Sequence, residues 1–387
     1  MNPLTDTIYV GNGTAGTVSL IDGKTCNAGD AGGCGQHAPA VTAGADPIGI
    51  AVDESTNTVY VVNFSGTVAV VNGRKCDAAN TSGCQVEPAT VRVGASPQFL
   101  AVDERTHTIY VANSGSNTVS VIDGRTCNAA SAAGCGRLRA SIPVGPVPFT
   151  LAVNDATSSI YVTDLGAHTV SVIDGKTCNA TNVSGCRHRP VTVNVGQTPG
   201  GIAVDTRTDT IYVTGESSND VSVIDGKTCN ATTTSGCRQT PVHVLAGAGA
   251  RGIAVNEVTD TVYVANTIAN TVSVIDGATC NATVQTGCSH RAAVAPVGVS
   301  PRRVAVDELT NTIYITNAGS NTVTMLNGRT CNGRVQAGCG RASTPAKKTA
   351  PQTTPTPTTP TTTQPYTART RQESSNEAES EGGTLSR

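Results

Sequence analysis

The sequence predicts an all-β chain folded as a seven-bladed β-propeller of four-stranded antiparallel blades. Three observations lead there. Tyrosine recurs at Tyr9, Tyr60, Tyr110, Tyr161, Tyr212, Tyr263 and Tyr314, in steps of 50 or 51 residues. All 14 cysteines fall in seven C-x7-C pairs that keep the same period. Each full unit holds four short strand signals. A fixed period of this length marks a solenoid, a propeller or an array, and seven four-stranded units close into a ring. An open β-solenoid is the alternative, but its coils are usually shorter than this repeat.

The unit that begins at Pro199 shows the elements in order: GIAVD (201–205), TIYVT (210–214), VSVID (221–225) and PVHVL (241–245). Each is rich in Val, Ile, Tyr or Thr and is bounded by Gly, Pro, Asn or Asp. No window carries a helical period. The strands are apolar on both parities: Val221 and Val223 share one face while Ile224 lies on the other. A sheet wetted on one side alternates more cleanly, whereas a blade is covered on both faces by its neighbours.

Aromatic residues are 3% of the chain and Trp is absent, so the core must be aliphatic. Charged residues are 14%, below the ~25% typical of globular domains. A net charge of −2 predicts no nucleic-acid footprint. No apolar run approaches the ~18 residues of a membrane span. A monomer is expected, partnered by a protein or a surface polymer.

Met1 aligns with the valine that ends the first strand in other copies (Val52, Val102, Val153, Val204, Val255, Val306). The first copy is therefore expected to lack its first strand, and the start to be internal, at a valine codon. The last copy should have three clear strands, because its fourth, near RASTPA (341–346), is poor. Both defects fall at the ring's closing seam, which is expected to be its least stable part. The propeller is placed at 1–342. Residues 343–387 are expected to be a disordered tail that opens with a Thr/Pro stalk.

Three readings of the cysteines stand open: disulfides, metal ligands and free thiols. The pairs are Cys26–Cys34, Cys76–Cys84, Cys127–Cys135, Cys178–Cys186, Cys229–Cys237, Cys280–Cys288 and Cys331–Cys339. Each brackets the connection between third and fourth strands. Strict pairing favours disulfides and an oxidising compartment, each bond contributing about 2–3 kcal/mol in the chain-entropy model. Such staples are expected to be local, stiffening loops rather than closing the ring. Zinc ligands usually come as C-x2–4-C, and only His37, His188 and His290 closely follow a second cysteine. Disulfides place the chain outside the cytoplasm, secreted or at the cell surface, if its N-terminus is truncated. Free thiols would leave it cytoplasmic.

Loops alternate between the two faces of the ring. The lower face, with the first-to-second connections and the cysteine loops, repeats itself. Asp53, Asp103, Asp205 and Asp307 recur there, better suited to Asx turns than to calcium, since no D-x-D-x-D array exists. The upper face varies. Ile48, Gln98, Phe149, Gly200, Arg251 and Arg302, with Arg303 next, should ring the mouth of the central channel. The upper loops add His168 and Glu216. Positions that break a strict repeat are where a specific site is built, and the arginines suit a carboxylate or phosphate.

His168 and Glu216 are an acid/base pair if adjacent blades bring them together, but no nucleophile is marked out beside them. No nucleophile elbow, H-E-x-x-H, Walker loop or dinucleotide fingerprint occurs, so no cofactor, no catalytic residue and no metal ligand is assigned. Sequons occur at Asn80, Asn179, Asn182, Asn230 and Asn281.

The stretches YVANSGSNTVSVIDG (110–124), YVANTIANTVSVIDG (263–277) and YITNAGSNTVTMLNG (314–328) resemble the YVTN-type, YncE-like β-propeller repeat over about residues 7–340. The C-x7-C loop is an insertion into that unit. The resemblance implies a propeller of surface-layer or YncE-like type. Lactonase-like and streptogramin-lyase-like propellers are similar, so the alternative to a binding scaffold is a hydrolase or lyase with a metal in the channel. No catalytic pattern of those relatives maps onto residues here.

Overall fold

The computed structural model describes residues 1–340 and the backbone of the strand Ser343–Lys347. Residues 341–342 and 348–387 lie outside the described residues, and with them most of the expected disordered tail. No helix among the described residues is long and apolar enough to cross a membrane.

Seven antiparallel sheets form, one per repeat, and six of them have four strands in chain order. The third blade shows the unit: an inner strand Pro97–Asp103, a second Thr108–Asn113, a third Thr118–Asp123 and an outer Ala140–Pro143. Tight hairpins join them. The residue that opens the second strand's approach is left-handed in every copy, as at His107 with φ 50° and Asn311 with φ 55°. Asn, Asp, His and Ser tolerate that region, as such turns require.

The first blade has three strands, Thr7–Asn12, Thr17–Asp22 and Ala40–Thr42. Its inner strand is represented by Asn2 alone, which exchanges backbone hydrogen bonds with Thr7 at 2.8 and 3.1 Å. That pairing repeats Asp53 opposite Thr58 in the second blade. The last blade corrects the expectation of a missing fourth strand: Ser343–Lys347 pairs with Thr322–Asn327. Its signal was poor because Pro345 interrupts it. An outer edge strand has only one neighbour, so a missing N–H is tolerated there, and the register slips between Val323 and Met325.

The core lies between blades. All six residues of the second strands Thr58–Asn63, Thr108–Asn113 and Thr261–Asn266 are buried. Each core cluster joins two neighbours: Tyr60, Val68 and Val91 of the second blade pack with Ile109, Ile122 and Cys127 of the third.

The cysteine pairs are all disulfides, and the described residues hold no free cysteine. With both sulfurs of each pair bonded, the metal and free-thiol readings fall away. The loops are not merely local staples, which corrects the sequence expectation. The Tyr60 hydroxyl of the second blade donates to the Cys127 carbonyl of the third at 2.6 Å. The Ala129 N–H of that same loop donates to Thr58 Oγ1 at 2.8 Å. Both bonds recur at every junction, including the seam, where Tyr314 reaches the Cys26 carbonyl and the Ala28 N–H reaches Thr312. Spacing alone reveals the loop but not the neighbour it docks on.

Candidate functional site: the upper channel mouth

The inner strands begin P-x-x at the upper rim, except Ala250–Asn256, and their pairing slips there, as between Pro97 and Leu100, Pro148 and Leu151, and Pro301 and Arg303. Such bulges re-aim side chains and are common beside binding sites. The third position explains itself sterically. A Cβ on Gly252 would lie 2.4 Å from the Arg302 carbonyl oxygen, because neighbouring inner strands approach closely. Arg303 holds this position on the last blade, and the next blade round the ring brings no inner strand.

Three arginines and two phenylalanines meet at this level. The Arg303 guanidinium carbon sits 3.6 Å from the Phe99 ring centroid and 5.3 Å from that of Phe149. Arg251 is 5.3 Å from the same Phe149 ring. The rings contact edge to face, with centroids 5.3 Å apart. Stacking on a desolvated ring contributes about 1–2 kcal/mol per cation. Arg251 Nη1 donates to Glu216 Oε1 at 3.1 Å, while its buried Nε meets no acceptor among the described residues.

The electrostatics follow from this crowding. Burial, then repulsion from Arg251 and Arg302, pushes the Arg303 guanidinium down to about 9, against a smaller pull from Glu216. Arg251 is also lowered, chiefly by burial, and Arg302 adds to it while Glu216 opposes. Three cations facing one carboxylate leave a positive excess in a partly dry site, where charge interactions are stronger than in water.

The remaining expected residues fall elsewhere. Gln98 is on the rim, its amide donating to Ser114 Oγ at 3.0 Å. His168 is exposed, and its Nδ1 accepts the Thr198 N–H at 3.0 Å. A neutral imidazole that accepts at Nδ1 carries its proton on Nε2, so His168 is not set up as a base. Glu216 is engaged by Arg251, and no bond joins it to His168. The structure therefore groups Phe149, Glu216, Arg251, Arg302 and Arg303 and leaves out the acid/base pair. Phe99 was missed. Its signal was the break in Gly49, Phe99, Thr150, Gly201, Gly252, Arg303, one position beyond the residues chosen.

Two other arrangements are resolved by geometry. Asp220 Oδ2 lies 2.9 Å from His243 Nδ1, and Ser222 Oγ lies 3.4 Å from the same nitrogen. A relay needs the two ring nitrogens on different partners, so this is not one. On the lower face Asp53, Asp103, Asp205 and Asp307 each accept a backbone N–H two or three residues on, as Asx turns. Among the described residues no three His, Cys, Asp or Glu side chains gather as metal ligands. The arginines at the mouth repel a cation, so the mouth residues do not fit a divalent ion.

The family described as "Lactonase, 7-bladed beta-propeller" matches residues 7–346. No curated protein matches the chain. Among solved structures, Kuenenia stuttgartiensis hydrazine synthase is similar at a TM-score of 0.64 and 18% identity, covering 84% of this chain and 94% of that one. A putative 6-phosphogluconolactonase from Bacteroides fragilis gives 0.63 and 16%, covering 88% and 94%. A streptogramin B lyase gives 0.52 and 13%, covering 73% and 80%. At these identities the likeness is one of fold.

Proposed function

We propose that this chain, which belongs to the lactonase family of seven-bladed β-propellers, is a non-enzymatic binding scaffold. Its upper channel mouth takes an anionic group of a ligand, a partner protein or a surface polymer. One observation carries this reading: Arg251 and Arg303 stack on the Phe99 and Phe149 rings, Arg302 adds its charge to theirs, and Glu216 is the one carboxylate that offsets them among the described residues. Guanidinium groups bind carboxylates and phosphates bidentately, and a bound anion would relieve their mutual repulsion. Seven disulfides support an extracytoplasmic, oxidising location. The YVTN-type, YncE-like character of the repeat belongs to the same reading.

A second reading is a hydrolase or lyase acting on a cyclic ester, favoured by the family and by the two enzyme neighbours. The cationic mouth then holds an acidic substrate, but the residues offer no free base: Glu216 is ion-paired and His168 is protonated at Nε2 when neutral. Titration with 6-phosphogluconate, alongside a hydrolysis assay with the corresponding lactone, separates the two. Saturable binding without turnover supports the scaffold. Turnover that is lost on substituting Glu216 overturns it.

A further inference from the structure

The net charge of −2 conceals a strong segregation of charge. The cysteine loops of the third to seventh blades, residues 124–139, 175–190, 226–241, 277–292 and 328–340, carry eleven Lys or Arg and no Asp or Glu. One basic position follows the third strand in six of the seven blades: Lys24, Arg74, Arg125, Lys176, Lys227 and Arg329, all exposed. A second set follows the second cysteine. Most are uncommitted: Lys176, Arg187, Arg189, Lys227, Arg238 and Arg291 make no side-chain bond among the described residues, whereas Arg125 pairs with Asp123 and Arg334 with Asp260.

The scaffold beneath these charges is rigid. Each loop is closed by its disulfide, tied to the preceding blade by tyrosine, and held internally, as where Asn179 Nδ2 donates to the Gly175 carbonyl at 2.6 Å. The same face is acidic nearer the axis, where Glu54, Glu104, Asp155, Glu257 and Glu308 sit in the first-to-second loops. The result is a basic arc over five adjacent blades beside an acidic centre, while the loops of the first two blades carry Asp30, Asp77 and Glu87.

We propose that the arc of cysteine loops on the third to seventh blades is a docking surface for an anionic polysaccharide, running along the arc rather than across the channel. Charge complementarity carries the proposal: cations recur at one fixed place in six of the seven blades, and the five loops from the third blade on carry no acid to offset them. Nucleic acid is the poorer fit, because these loops contain no Phe, Tyr or Trp on which a base can stack. The surface is separate from the upper mouth and does not depend on it.

The test uses the full chain with polygalacturonate as probe, at 50 mM and 200 mM salt. Saturable binding that weakens steeply with salt is expected, as released counterions demand. The variant K176E/R187E/R189E, confined to one exposed loop, should bind at least tenfold more weakly with unchanged thermal stability. Arg92→Glu, on an outer strand, should bind as wild type. If the triple variant does not fold, R238E/R291E on two other loops should show the same loss. Absence of binding at 50 mM salt, equal loss in Arg92→Glu, or tighter binding of duplex DNA at matched charge would each overturn the proposal.

Discussion

The Tyr314 hydroxyl donates a 2.7 Å hydrogen bond to the Cys26 carbonyl, joining residues 288 apart in sequence. The same bond runs from each of the other six repeat tyrosines to the first cysteine of the next blade. The ring is therefore closed by the device that joins its other blades, although its first blade lacks an inner strand. Tyr314 is 2% exposed, so the bond is shielded from water.

Tyr314→Phe removes this donor and leaves a buried carbonyl unpaired, which costs about 1–3 kcal/mol. Tyr161→Phe makes the same cut inside the ring. Urea unfolding of both variants should show comparable losses if the seam is held as firmly as an interior junction. A larger loss for Tyr314→Phe would mark the seam as the weak joint.

Asp164 stands where five other copies have asparagine: Asn12, Asn63, Asn113, Asn266 and Asn317. Asn113 donates to Thr118 and Ser120 of its third strand. Asp164 instead accepts from Thr169 and Ser171, and its Oδ1 is buried without a partner. Burial pushes its carboxyl up to about 6, with the two hydroxyls opposing. A carboxyl whose folded value lies above its unfolded one binds its proton more tightly in the fold. Stability therefore falls as pH rises from about 4 through 6, and the full penalty remains above that. Asp164→Asn should stabilise at pH 7 by on the order of 2 kcal/mol, with the gain vanishing near pH 4. Thermal melts across that window check it.

Val147 holds φ 55° at the turn before an inner strand, where other copies have Asp46, Ser96, Thr198 or Gly249. A β-branched residue in the left-handed region is strained by about 1–3 kcal/mol. Val147→Asn should raise the melting temperature while keeping the Asn117 Oδ1 contact to its own N–H. An unchanged or lower melting temperature would contradict this.

How much was legible follows from where each feature is encoded. The tyrosine and cysteine periods state the blade count directly, because each blade repeats one local solution. Strand Ser343–Lys347 was obscured because its pairing comes from its neighbour rather than its own composition. The docking of Cys26 on Tyr314 was hidden because adjacency across the seam exists only once the ring closes. The mouth residues were partly visible as breaks in the repeat. Phe99 was passed over, since its contact with Arg303 spans the channel and depends on the ring's diameter. The pairing of His168 with Glu216 failed for a local reason: Thr198 and Arg251 lie nearer and satisfy each first.

The most direct test of the binding account compares wild type with Arg303→Met in thermal melts with and without 6-phosphogluconate. Methionine can fill the space on the Phe99 ring without the buried charge. The account predicts that the ligand raises the wild-type melting temperature, and that Arg303→Met melts higher when unliganded and loses most of the ligand's effect. A variant that is unchanged in both respects would show that the three arginines do not form an anion site.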